Sequence, residues 1–419
     1  MTWDEATNKV DATVTMQAKA ESDLSSFNLD FGGFTISKLL VDGKDAPYKR
    51  DGRELQITPS AALKKDATFE TITRYSGIPG DGAPAFYDVF AQGWIRYENG
   101  VYVASEPDGA ANWYPVNDHP LDKASYTFII TVPDAYTVAA NGLLQKVVDN
   151  PGPTTTYTWA SKDDLASYLA TVNIAKFTMQ KSVGPHGLPI RNYFPSAQAD
   201  ALIKIFSDFP DMIAYYETIF GAYPFEAAGA VVADTKLSFA LETQTLILFG
   251  KDIAVGRTNA DTVVAHELAH QWFGDSVSLS EWKDVWLNEG FATYASMLWL
   301  EHSMGQVAMV KQMDTYYNVI VQQGTKYVPP ANPPKNDLFN DGVYLRGAWT
   351  LHALRLKVGD KVFFNILHTY YDRHKYGNAT TDEFTSLASE VSGQDLKGFF
   401  QQWLFDETVP AEPDQTFLP

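Results

Sequence analysis

The chain has 419 residues, 45% of them apolar and 20% charged; this is ordinary globular usage, enough for two or three domains, and it excludes disordered and collagen-like architectures. Acidic residues number 51 against 32 basic ones, a formal net charge of −19, which repels polyphosphate and argues against a nucleic-acid partner. The absence of cysteine excludes disulfides, thiolate metal ligands and cysteine nucleophiles, and no run approaches the roughly 18 apolar residues of a membrane span.

The opening MTWDEATNKV has no basic region followed by an apolar one, so no signal peptide is expected, and the compartment stays open between the cytoplasm and secretion as a mature form. The first part then reads as β. Residues 11–20 alternate apolar and polar, and 34–41 run into Asp42-Gly43, a hairpin-type turn signal. ELQITP (54–59), TFETITRYSG (68–77), SYTFIITVP (125–133), YTVAANGLL (136–144) and TTYTWA (155–160) continue the pattern. Short strands separated by Gly, Pro and Asp predict an antiparallel sandwich or saddle-like domain over residues 1–190.

After FPSAQAD the character changes. Residues 199–221 carry apolar residues at helical spacing, and a short β-rich segment follows in AAGAVVAD and SFALETQTLILF. Helical patterns then occupy 261–274, 282–303, 305–323, 345–357, 360–373, 381–391 and 394–404, with Thr380 and Glu383 spaced as a capping box and VPPANPPKND (328–337) as a Pro-rich loop. The expected fold class is α+β: a β domain, a mainly helical domain over 191–407, and a tail over 408–419.

The string that carries chemistry is Val264-Ala-His266-Glu267-Leu-Ala-His270-Gln-Trp. On a helix, residues four apart share a face about 6 Å along the axis, so the imidazoles of His266 and His270 converge on one ion. Glu267 shares that face and is placed to act on a water at the metal. A catalytic zinc needs a third protein ligand and an open fourth position. Glu289, nineteen positions after His270 in Trp286-Leu-Asn288-Glu289-Gly290-Phe291, is the natural third ligand, since that spacing allows a turn and a second packed helix. Two histidines and one glutamate without thiols favour zinc over magnesium or calcium. A bare His-Glu-x-x-His could be two exposed helix histidines, but the flanks here are apolar. The other six histidines (His119, His186, His302, His352, His368 and His374) form no second pair at ligand spacing.

With these residues in view, the sequence resembles the gluzincin zinc aminopeptidases, the family of aminopeptidase N and the leukotriene hydrolase. HELAHQWFGD followed by WLNEGFATY carries the resemblance, with GVYVASEPDGAANWYPVNDHPLDKASYTF (100–128), SFALETQTLILF (238–249) and VYLRGAWTLHALR (343–355) in the family's order. It covers nearly the whole chain and implies a thermolysin-like, mainly helical catalytic domain after the β domain. It further implies that His266, His270 and Glu289 bind one zinc ion and that Glu267 is the general base. Glu242 would hold the substrate's free α-amine, Glu106 would supply a second amine anchor from the β domain, and Tyr344 would donate a hydrogen bond to the oxyanion. The implied activity is release of single N-terminal residues from peptides.

The sequence departs from the family in places. Phe239 stands where the family has Gly and Thr243 where it has Asn, which touches substrate gripping and pocket shape; Arg346 stands where Lys is frequent. The large relatives' further helical domain does not follow the catalytic segment here. That weakens an alternative reading as an epoxide hydrolase of the leukotriene branch. A metal-free peptide-binding module is the other alternative, opposed by retention of the ligand set, the base and the tyrosine. Preferred N-terminal residue and oligomeric state are left open, a monomer being the simplest case.

Overall fold

The computed structural model describes residues 1–80, 93–254, 260–323 and 329–415. Val328 of the Pro-rich loop and the last four residues of the expected tail lie outside them. The chain divides into two compact units, Met1–Thr178 and Met179–Pro419.

The first unit is β-rich. Eight strands form one sheet in the order Leu143–Asp149, Thr154–Ala160, Thr127–Pro133, Thr2–Trp3, Val10–Lys19, Thr68–Gly77, Thr35–Val41 and Lys44–Asp45. All of the pairings in it are antiparallel except that of Thr2 with Thr131, which is parallel. The period-two pattern of Val10–Lys19 becomes alternating half-buried and exposed residues. Asp42 and Gly43 both take positive φ, +49° and +74°, as a two-residue hairpin turn requires. A four-stranded sheet (Thr137–Ala140, Val172–Ala175, Gly100–Ala104, Gly93–Tyr97) and a three-stranded one (Phe27–Asp30, Glu54–Ile57, Tyr48–Asp51) complete the unit. Arg53, in the hairpin joining the last two strands, reaches Asp108 at 2.7 Å and Asp118 at 3.3 Å.

Strand Phe177–Val183 carries the chain across the division and joins Pro189–Pro195, Ala230–Ala233 and Ile247–Gly250 in a sheet whose last two pairings are parallel. Around residue 190, the expected passage between domains, the strands Phe177–Val183 and Pro189–Pro195 belong to this sheet, joined through the turn Pro185–Gly187. The helices follow: Phe209–Phe220, Ala260–Ala269, Trp286–Met304, Gln306–Gln323, Gly347–Val358, Asp360–His374 and Thr381–Ser392. The last starts at the expected capping box, with Thr380 Oγ1 accepting from the Glu383 N–H and the Glu383 carboxylate accepting from the Thr380 N–H. None of the described helices is long and apolar enough to cross a membrane.

Two contacts set the helices that matter for the site. The buried Tyr216 hydroxyl lies within hydrogen-bond reach of Ala265 O (2.9 Å) and Ala295 O (3.1 Å), tying the His266 helix to the Glu289 helix. Helices Trp286–Met304 and Gly347–Val358 touch backbone to backbone at Gly290 and Gly347. A Cβ on Gly290 would sit 2.9 Å from Gly347 Cα and 3.0 Å from its carbonyl carbon. No side-chain rotation relieves that clash, so Gly290→Ala is expected to push the helices apart and cost about 1–3 kcal/mol of stability. Thermal unfolding checks this; an unchanged transition would contradict it.

Candidate metal centre

Helix Ala260–Ala269 carries His266 and Glu267. The sequence periodicity extends the helix to 274, but it ends at Ala269. Amides of Asp275, Ser276 and Val277 bond back to the carbonyls of His270, Gln271 and Trp272 (3.0, 3.2 and 3.0 Å), a wider turn that opens at Gly274, φ +135°. Gly274 is needed there because a Cβ would sit 3.1 Å from His270 Nδ1. His270 N–H still bonds to His266 O at 3.4 Å, so the two imidazoles remain one turn apart. Glu289 stands in the first turn of Trp286–Met304, where the helix dipole favours a carboxylate.

The three donors meet. His266 Nε2 lies 3.2 Å from Glu289 Oε2, His270 Nε2 lies 3.4 Å from the same oxygen, and the two Nε2 atoms are 3.1 Å apart. Tetrahedral zinc with bonds of about 2.0–2.1 Å holds its ligand atoms about 3.3 Å apart, so the set fits that ion. The remaining imidazole nitrogens face outward: Nδ1 of His270 is 3.1 Å from Phe273 O, and Nδ1 of His266 is 3.5 Å from Thr293 Oγ1. Such outer partners fix the ring orientation that leaves Nε2 for a metal. Phe273 O carries no sequence signal, because a carbonyl acceptor is present at every residue.

Electrostatics agree with the donor set. Burial opposes ionisation of Glu289, but the two imidazoles outweigh it and hold its carboxyl down at about 2. Burial also opposes charge on His270, yet Glu242, Glu289 and Glu267 together push it up to about 10. His266 is lowered by burial. Burial raises Glu242 and pushes Glu267 well above the carboxylate range. Three buried carboxyls around two imidazoles are a place where a divalent cation resolves the charge.

Glu242, Glu267 and His270 form an overlapping cluster, their donor atoms within 4.8 Å of one another. Glu242 Oε1 is buried and has no hydrogen-bond partner among the described residues. Its backbone carbonyl accepts from Gln271 Nε2 at 2.9 Å. Tyr344 sits in the wide helical turn Gly342–Arg346 that leads into helix Gly347–Val358, and its ring stacks on His266 with centroids 6.1 Å apart and planes at 17°. Arg346 is buried and uses Nη2 on the carbonyls of Gln402 (2.8 Å) and Asp406 (2.6 Å), which anchors this turn to the chain after the last helix. That chain is packed rather than trailing: Pro410 O accepts from the Tyr317 hydroxyl at 2.8 Å, and Gln415 Oε1 meets His352 Nε2 at 2.9 Å. Glu106 belongs to the other unit. It follows strand Gly100–Ala104 and precedes Pro107 through a cis peptide bond, in a loop held by the Arg53–Asp108 pair.

Two family models match the chain: the peptidase M1 N-terminal domain over residues 2–169 and the peptidase family M1 domain over residues 208–403. The glutamyl aminopeptidase of Bitis rhinoceros is 26% identical over 330 residues, covering 73% of this chain and 34% of that protein. Aminopeptidase N of Streptomyces lividans is 26% identical over 348 residues, covering 73% of this chain and 38% of that protein. This chain thus spans little more than a third of these curated relatives. Among solved structures, the M1 zinc metallopeptidase from Deinococcus radiodurans superposes with a TM-score of 0.82 at 27% identity, covering 98% of this chain and 92% of that one. A mutant of the same protein bound to a Tyr-Ser-Ala substrate matches with a TM-score of 0.82 over 97% of this chain and 92% of that one.

Proposed function

This chain belongs to peptidase family M1, and from that premise we propose that it is a zinc-dependent aminopeptidase that hydrolyses the N-terminal bond of peptides and releases single N-terminal amino acids. The observation that supports this most is the meeting of His266, His270 and Glu289 at zinc-ligand separations, with two further carboxyls beside them. These three residues would hold the ion. Zinc bound there supplies Lewis acidity, which polarises the scissile carbonyl and lowers the pKa of an attacking water.

The protein's own groups account for the rest. Glu267 takes the proton of the attacking water and delivers it to the leaving amine. The Tyr344 hydroxyl donates a hydrogen bond to the oxyanion as the tetrahedral centre forms. Glu242 meets the substrate's α-ammonium, and Glu106, of the unit Met1–Thr178, serves as the second anchor. Two carboxylates against one ammonium select a free N-terminus and set the register of cleavage at one residue. Thr243 and Phe239 alter the surroundings of Glu242 but leave the carboxylate itself in place. The substrates are peptides with a free N-terminus.

Metal analysis tests the reading. One zinc per chain is expected; chelation should remove it together with hydrolysis of an aminoacyl anilide, and added zinc should restore both. Full turnover by verified metal-free protein would contradict the assignment.

A further inference from the structure

The geometry points to Gln271 as a positioning residue: we propose that its side-chain amide fixes Glu242 against the metal ligands and so sets where the substrate's amine is held. The proposal rests on the reading of Glu242 as the amine anchor.

Gln271 directly follows His270 and is buried. Both ends of its amide are used on one short segment of chain. Nε2 donates to Glu242 O at 2.9 Å, and Oε1 accepts from the Thr245 N–H at 2.8 Å. The Tyr223 hydroxyl lies 3.2 Å from the same oxygen and 3.1 Å from Ala227 O. One side chain therefore grips both Glu242, just before the turn Thr243–Leu246, and Thr245 within it, while its neighbour in sequence is a metal-ligand candidate.

The turn needs such a grip. Leu241 and Leu248 exchange both backbone hydrogen bonds (2.9 and 2.8 Å), and the Leu246 N–H closes on Thr243 O at 3.0 Å, so the segment is a tight reversal. Thr245 adopts φ +67°. A β-branched residue in the left-handed region is strained and persists only where its surroundings over-determine it. Its restraints include the Gln271 carbonyl on its N–H and Arg191 Nη2, 3.3 Å from its hydroxyl. Releasing the first lets the turn relax, and Glu242 moves with it. The donor atoms of Glu242 and His270 lie within 4.8 Å of each other, so a shift of a fraction of an ångström changes the span from ammonium to scissile carbonyl. Gln271 sets that span by building both groups on neighbouring residues.

The test uses Gln271→Leu and Gln271→Met, which fill the space without the hydrogen bonds. Should the leucine variant fail to fold, the unbranched methionine carries the same measurement. Hydrolysis of alanyl-p-nitroanilide and zinc content are measured in each, alone and with Glu242→Ala. A rise in KM on the order of tenfold is expected with one zinc retained, and less than a twofold further effect in the Glu242→Ala background, because Gln271 acts through that residue. A wild-type KM in the Gln271 variants, an equal factor in both backgrounds, or a loss of activity that tracks loss of zinc would overturn the proposal. If Glu242→Ala itself leaves KM unchanged, the amine-anchor reading falls and the proposal with it. A raised KM in Glu242→Ala beside a normal one in Gln271→Met overturns the proposal alone.

Discussion

Glu267→Gln is expected to keep its zinc and its fold and to lose turnover by about 10²–10⁴-fold, the usual contribution of a positioned general base. Glu267 lies on the His266 helix, buried, with its carboxylate among the donor atoms of Glu242 and His270 but outside the trio that meets at zinc-ligand distance. Glutamine has the same shape and cannot accept a proton. The change also removes one carboxyl from a crowded acidic pocket, where Glu242 and Glu289 both act against its ionisation. Thermal stability should therefore be held or raised while activity falls, the trade expected of a catalytic group kept in an unfavourable setting. Steady-state kinetics beside metal analysis checks this. A kcat near wild type in the zinc-replete variant would remove Glu267 from the role.

Tyr344→Phe should lower kcat by about 10²–10³-fold and leave KM near its normal value, the pattern of a contact that strengthens only as the oxyanion forms. Phenylalanine keeps the ring that stacks on His266, so the comparison isolates the hydroxyl. A parallel rise in KM would assign Tyr344 to ground-state binding instead, and unchanged kinetics would make it a packing residue.

Local pattern made much of this molecule legible. The alternation of Val10–Lys19, the Asp42-Gly43 turn and the Thr380–Glu383 cap are all interactions between near neighbours, and each stands in the structure where the chain suggested. The spacing of His266 and His270 is equally local, because helical geometry converts an interval of four into a shared face, whereas Glu289 reaches them from a second helix, Trp286–Met304. What local pattern hid depends on distant partners. The periodicity of 261–274 continues past Ala269, but the helix stops there because the turn through Gly274 must bring backbone against the His270 ring. The parallel pairing of Thr2 with Thr131 has no nearby signature. Residues 408–415 carry no helical or strand pattern, so they read as a tail; side chains from other helices, Arg346, Tyr317 and His352, hold them in place. Gln271 has no sequence signature of a role, and only the folded chain brings Glu242 and Thr245 to its amide.

The central claim is that this zinc site acts on a free N-terminus, and a matched pair of substrates tests it most directly. The purified, zinc-loaded protein is given the same short peptide with its N-terminus free and N-acetylated, and the products are identified by mass. Acetylation removes the positive charge that Glu242 and Glu106 are proposed to hold and adds bulk where the chain should end. The account predicts stepwise release of single residues from the free peptide and no detectable cleavage of the acetylated one. Comparable cleavage of both, or cuts within the chain, would contradict it and leave an endopeptidase on the same three ligands.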